Sequence, residues 1–246
     1  MPFEYKAIPW DSVLFGKPVL EILNSSEYRE NLQLSFRDME QQLVEQNQPF
    51  MIFTKIPATN IKKIHIFEQN GFEYIETQFH IVKKISRLYE INFDLFYDRV
   101  NQTDLPQILN IARKSFDTDR YSIDPYIGKE KSGERYSNWV NNSFRDPNYL
   151  IYKYTYDREI VGFHMLEIKE KTAYALLGGV NPHCKGTGLG LYINLMFNNI
   201  LYHQGTSYID THISAINLDI FNIDIYMEYK IKDVQIVLRK IYPDNF

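Results

Sequence analysis

This chain nearly repeats itself, and that limits its fold more than any other feature. Residues 50–85 read FMIFTKIPATNIKKIHIFEQNGFEYIETQFHIVKKI, and residues 207–241 read SYIDTHISAINLDIFNIDIYMEYKIKDVQIVLRKI. In both, a short apolar strand (Met51–Thr54; Tyr208–Thr211) leads to an isoleucine, three residues and an asparagine (Asn60; Asn217). A helix-like stretch then ends in an aromatic (Phe67; Tyr226). Five residues on comes an apolar residue (Phe72; Ile231), and a second strand closes with HIVKKI or QIVLRKI. Ordered self-similarity of this length marks a duplicated supersecondary unit. It predicts two related halves of an α/β chain, each built on a β-α-β unit, divided as residues 1–90 and 91–246.

The two copies differ in one spacing. Asn60 precedes Phe67 by seven residues, whereas Asn217 precedes Tyr226 by nine. Two extra residues turn a helix by about 200°. The register that runs from Tyr226 through Ile231 to the closing strand looks intact, so Tyr226 is taken as the partner of Phe67. The slack is then expected upstream, in IFNIDI, either by a helix starting near Asp219 or by a bulge.

Composition sets outer limits. Of 246 residues, 44% are hydrophobic and 24% charged, enough to bury a sizeable core. The net charge of -4, with Lys and Arg scattered singly, argues against a nucleic-acid groove. MPFEYKAIPWDS has no apolar core of a secretion signal, and no apolar run approaches the roughly 20 residues that span a bilayer. Cys184 is the only cysteine, which excludes an internal disulfide and a Cys-rich metal site. A soluble, cytoplasmic protein that uses no metal and needs no membrane is expected.

The second half reads as strand 94–100, a helix capped by Asp104 with Pro106 in its first turn, a polar loop, and a helix over 135–144. A hairpin of 150–156 and 160–168 follows, turning at Asp157-Arg158-Glu159. A strand over 172–180 ends at Gly178-Gly179. Next comes HCKGTGLG, residues 183–190, and a helix from Gly190 to about His203 with apolar residues at Leu191, Ile193, Leu195, Met196, Phe197, Ile200 and Leu201. The glycine-rich turn is neither familiar phosphate loop. A Walker A loop needs Gly-Lys-Thr, but the order here is Lys185-Gly186-Thr187. A dinucleotide turn needs G-x-G-x-x-G, but Gly186, Gly188 and Gly190 give G-x-G-x-G.

This order of elements, with Lys185-Gly186-Thr187-Gly188-Leu189-Gly190 between strand and helix, resembles the GNAT superfamily of acyl-CoA-dependent N-acyltransferases. The family turn reads Gln or Arg, two residues, Gly, one residue, then Gly or Ala; Lys185 replaces the first. The resemblance implies a mixed, mostly antiparallel sheet flanked by helices, in two tandem GNAT-like halves. It also implies acyl-CoA as co-substrate, its pyrophosphate held by backbone N–H groups of the turn. Glycines let backbone approach phosphate, and a helix N-terminus attracts it. Val180, Lys185, Gly186, Thr187, Gly188, Leu189, Gly190 and Asn217 are the implied CoA-binding residues. Trp10-Asp11-Ser12 with Phe15-Gly16, and Ser115 through Tyr121 with Tyr136 and Trp139, are further similar to dTDP-fucosamine acetyltransferases and related nucleotide-sugar N-acyltransferases. Those enzymes pair a degenerate N-terminal half with a working C-terminal one.

On this resemblance the partners are coenzyme A and a dTDP-linked amino sugar lying between the halves, with room for a homodimer. Arg120, Tyr121, Tyr136 and Trp139 would bind the sugar nucleotide. A backbone N–H near Gly178 or Gly179 would stabilise the oxyanion. The Tyr226 hydroxyl would protonate the departing thiolate, and His164 is the candidate base. Plainer readings stand beside these. Cys184 is an ordinary thiol, His164 a satisfied buried histidine, Trp10 and Trp139 core or lining residues, and Asp11 a cap or brace. The N-terminal half, which lacks a glycine turn, should bind no CoA. Acylation of a protein N-terminus or small amine, and a CoA-binding module without chemistry, are the competing functions.

Overall fold

The computed structural model describes residues 4–23 and 32–242. In chain order the elements are β1 (Tyr5–Ala7), α1 (Pro9–Phe15), β2 (Val19–Ile22), α2 (Leu32–Asn47), β3 (Met51–Pro57), α3 (Ile61–Gln69) and β4 (Glu73–Lys84). They continue with β5 (Phe96–Arg99), α4 (Leu105–Ser115), α5 (Arg120–Ile123), α6 (Gly128–Phe144), β6 (Tyr149–Tyr156), β7 (Glu159–Lys169) and β8 (Thr172–Val180). After a 3-10 turn (Pro182–Cys184) come α7 (Leu189–His203), β9 (Tyr208–Ser214), α8 (Leu218–Tyr226) and β10 (Lys230–Ile241). Among the described residues no helix is long and apolar enough to cross a membrane.

The chain forms two compact units, of which one is made of two separate segments and the other is continuous. One comprises Met1–Gln78 with Val234–Phe246, the other Phe79–Asp233. The limits of the units fall at two crossings, one inside β4 and one inside β10. Both strands are twelve residues long, and each begins in one unit and ends in the other.

In the first unit, β1 pairs antiparallel with β2, β2 parallel with β3, and β3 antiparallel with the last part of β10, from Gln235 opposite Pro57 to Ile241 opposite Met51. Apolar residues at alternating strand positions meet α2 and α3 in a core that includes Leu20, Ile22, Phe36, Ile52, Ile56, Phe67, Phe72 and Leu238. Phe36, Phe67 and Phe72 meet edge to face, with centroids 4.8, 6.1 and 4.9 Å apart. Asp11 is wholly buried in the first turn of α1, as a brace would be. The connection from β2 to α2, where an N-terminal counterpart of the glycine turn would fall, lies outside the described residues.

In the second unit the sheet runs β9-β8-β7-β6-β5. The hairpin of β6 and β7 turns on Asp157 and Arg158, both left-handed at φ 47 and 64. Asp104 precedes α4 as expected, but its carboxylate makes no cap bond. It takes the Lys153 ammonium at 2.7 Å on both oxygens, and it accepts from Asn101 N–H. The polar loop expected before residue 135 is instead helical at both ends: α5 begins at Arg120, where Asp119 accepts from Tyr121 and Ser122 N–H, and α6 begins at Gly128. Gly and Ser in α6 hide its helical period, yet they are what α4 requires. A β-carbon at Gly133 would stand 2.3 Å from the Arg113 carbonyl oxygen.

Gly133→Ala should therefore push α4 and α6 apart, destabilising the fold by about 1–3 kcal/mol, as overpacking against backbone does. Urea unfolding reads this directly. A variant as stable as wild type would show that the two helices separate freely.

Candidate functional site

The second unit contains a place where its sheet opens. Strands β8 and β9 run parallel but pair only from Thr172–Ala175 against Tyr208–Thr211. The Thr211 hydroxyl donates to the Ala175 carbonyl at 2.8 Å, closing the ladder. Beyond it β8 continues to Val180, held only on its other side by β7. A bulge falls at that point: Met165 faces Leu177 and Leu166 faces Ala175, so Leu176 has no opposite number. Past the fork, alternate backbone N–H groups of β8 point to the side where β9 no longer pairs.

The glycine turn sits at the open end of this fork, directly after β8. Gly186 and Gly188 have φ of +77 and +84, which L side chains rarely adopt. Nothing lies within 4 Å of where a β-carbon would stand at either position, so their outer faces are bare. Gly188 is the N-cap of the fifteen-residue α7 and makes no cap bond of its own, while the Thr187 hydroxyl oxygen accepts from Leu189 N–H at 3.4 Å. The turn is braced from beneath by the Thr187 hydroxyl on the Cys184 carbonyl at 2.7 Å, and Lys185 pairs with Asp117 at 3.0 Å. A β-carbon at Gly190 would lie 3.8 Å from Val180 and 3.9 Å from Ile223, so that glycine seats the helix against β8 and α8. A helix N-terminus with bare backbone attracts anions. The buried Cys184 thiol is pushed up by desolvation and by Glu159, the direction of an ordinary thiol.

On α8 the sequence-based register is corrected. Asn217 caps α8 by accepting from Ile220 N–H, as Asn60 caps α3 by accepting from Lys63 N–H, and both helices have nine residues. Both end alike: Phe72 N–H bonds the Phe67 carbonyl, and Tyr229 N–H bonds the Asp224 carbonyl. The partner of Phe67 is therefore Asp224, and that of Phe72 is Tyr229. No extra residues exist within the helix, and Tyr226 lies two positions late, at the helix end and 60% exposed. The mismatch in apolar lettering, with Asp at an aromatic position, misled the sequence comparison. Asp224 is 5% exposed, its Oδ2 meets no hydrogen-bond partner, and burial raises its carboxyl to about 7.

The other expected residues fall into two groups. His164 is in the core, its Nδ1 3.0 Å from the Tyr154 hydroxyl and its ring stacked 4.2 Å from Phe197. Burial lowers it to about 4, against a hydrogen bond to Asn194 that acts the other way. It is thus the satisfied, neutral histidine of the plainer reading, with no open face for a base. Gly178 and Gly179 are sites of close approach, where β-carbons would stand 2.7 Å from the rings of His164 and Phe163. Tyr121, Tyr136 and Trp139 do come together, around a cation that the sequence reading passed over: Arg135 lies 4.0, 5.1 and 5.5 Å from their rings. Arg120 lies on the same Tyr121, 4.9 Å from its ring. Tyr121, Tyr136 and Arg135 are buried, and Tyr136 is pushed well up by desolvation.

A cleft of about 430 Å³ opens at the fork, lined by His80, Tyr174, Ala175, Leu176, Asp210, Thr211, His212 and Lys232. His80 Nε2 lies 2.8 Å from Asp210 Oδ1, and the His80 and His212 rings stack at 4.4 Å. None of these polar residues was singled out from the sequence. The available signal was Asp210-Thr211-His212, which at strand spacing puts two polar groups on one face.

The fold has known counterparts. No family model matches the chain. A GCN5-related N-acetyltransferase from Sphaerobacter thermophilus superposes with a TM-score of 0.67 over 96% of this chain and 76% of that one, at 14% identity. A tandem GNAT protein from the clavulanic acid biosynthesis pathway does so at 0.62 over 94% and 77%, at 10% identity. The chain thus has the GNAT fold in two tandem GNAT-like halves. In sequence it is similar to the spore coat polysaccharide biosynthesis protein SpsD of Bacillus subtilis (strain 168), 20% identical over 203 residues. That match spans 77% of this chain and 66% of the relative, just under two thirds of its length.

The Asp224 environment has a pH signature. Its folded value, near 7, exceeds the ordinary 3.8, so the protonated form favours folding. That contribution is complete below about pH 4 and is lost as pH rises through 7. Asp224→Asn cannot ionise, so its melting temperature should fall less than that of wild type between pH 5 and 8. Equal falls would mean that Asp224 is solvated.

Proposed function

We propose that this chain is an acyl-CoA-dependent N-acyltransferase acting on the amino group of a nucleotide-linked amino sugar, with a dTDP-linked aminodideoxy sugar as the expected acceptor. One observation carries the reading: at the open end of the fork of β8 and β9 stands a helix N-terminus led by two left-handed glycines with bare outer faces. The turn suits a pyrophosphate, and the fork suits an extended thioester arm whose amides can pair with the strand edges. The GNAT fold supports the acyl-CoA class. The likeness to a polysaccharide biosynthesis protein supports a sugar acceptor.

The chain supplies the chemistry as follows. The acceptor nitrogen attacks the thioester carbonyl, and backbone N–H groups between Leu176 and Gly179 receive the developing oxyanion. The thiolate then departs and takes a proton. Two α8 side chains compete for that task. Tyr226 is the residue the family resemblance named, but Asp224 holds the register position, and with a value near 7 it is half protonated at neutral pH. Arg120, beside Tyr121, remains the expected contact for the sugar nucleotide, through its two-pronged guanidinium.

Two measurements test the reading. Gly188→Ala forces a β-carbon onto the bare face of the turn at φ +84. Acetyl-CoA binding by calorimetry should weaken at least tenfold, about 1.4 kcal/mol. Unchanged affinity would remove the pyrophosphate from this turn. Asp224→Asn should lower kcat on the order of 10²-fold with acyl-CoA affinity kept, and Tyr226→Phe should lower it far less. The reverse ranking would return the acid role to Tyr226.

A further inference from the structure

The cleft at the fork contains a group that the chemistry above leaves unused. His80, on β4, reaches Asp210 on β9 at 2.8 Å, and the two side chains are only 16% and 15% exposed. A carboxylate can only accept, so the neutral imidazole donates from Nε2 and keeps its lone pair on Nδ1. The His212 ring, stacked at 8° to that of His80, limits its rotation. Asp210 and His212 follow on one face of β9, and the Thr211 hydroxyl between them closes the ladder below the fork. The bulged Leu176 lines the same cleft, so the imidazole and the unpaired β8 backbone share one space.

We propose that His80 is the general base of this site, with Asp210 as its positioning residue. The inference rests on the acyltransferase reading above. The acceptor amine forms its bond to the thioester carbon, and the carbon–sulfur bond then breaks as the oxyanion collapses. The proton shed by the amine nitrogen passes to His80 Nδ1, and the leaving thiolate is protonated from α8. Asp210 fixes the tautomer and stabilises the imidazolium while it lasts. The other titratable groups lining the cleft are Tyr174, His212 and Lys232. His80, Asp210 and His212 are also a set of donors that could hold a divalent cation, all within 4.8 Å of one another.

The test uses the full chain, acetyl-CoA and a panel of dTDP-amino sugars, with variants His80→Gln and Asp210→Asn. Both should bind acetyl-CoA as wild type does. His80→Gln should lose at least 10²-fold in kcat, and Asp210→Asn should lower kcat by a smaller factor while leaving KM for acetyl-CoA unchanged. Imidazole ¹⁵N spectra should show His80 protonated at Nε2 in wild type, whatever acceptor is used. Turnover at wild-type rate by His80→Gln, or an Nδ1–H tautomer, overturns the proposal. Activity abolished by EDTA and restored by zinc assigns the cluster to a metal and overturns it too. Wild type that binds no acetyl-CoA fails the acyltransferase reading itself, an outcome distinct from the others.

Discussion

The site depends on hydrogen bonds that stop. A parallel pair of strands normally continues until one of them ends, because each unmade rung leaves an N–H and a carbonyl without partners. Here β8 and β9 part while both still have residues to run, Leu176–Val180 on one and His212–Ser214 on the other. The Thr211 hydroxyl on the Ala175 carbonyl takes the place of the next rung. Past it, the edges of two strands face a space that an extended ligand can pair with. The bulge at Leu176, the glycine turn, the cap of α8 and the cleft are all arranged around that parting.

Burial also tunes two titratable groups of the second unit. Asp224 occupies a helix position that points inward, and desolvation raises its carboxyl to about 7. His164, on β7 opposite Gly178 of β8, is lowered to about 4 by the same effect acting on a base. One carboxyl becomes able to hold a proton at neutral pH, while one imidazole becomes unable to take one. Neither property belongs to the residue type. Both follow from how far the fold removes each side chain from water.

The two halves show how one skeleton serves two ends. Asn60 and Asn217 cap helices of equal length, each closed by a bond from five residues past the helix position under comparison. In the first unit that position and its closing partner are Phe67 and Phe72, packed edge to face with Phe36. In the second they are Asp224 and Tyr229. The cap and turn geometry tolerates either pair, because it is made by backbone and one asparagine. Apolar rings make a core in one unit; the other buries a carboxyl at the same helix position.

Much of this was legible in the chain itself. The duplication, the order of strands and helices in the second half, the hairpin at Asp157-Arg158 and the glycine turn are local matters, set by periodicity and by residues that favour particular backbone angles. They determined the fold class and the place of the glycine turn. What the letters could not give was register and depth. The comparison of aromatics put Tyr226 opposite Phe67, whereas the caps, whose bonds exist only in the folded chain, put Asp224 there. The glycines at 178 and 179 read as an oxyanion site, but in the structure they also make room for the rings of His164 and Phe163. His80 and Asp210 lie 130 residues apart, and no local pattern joins them. Only the pairing of distant strands decided that they meet, because a carboxylate and an imidazole act together through space and not along the chain.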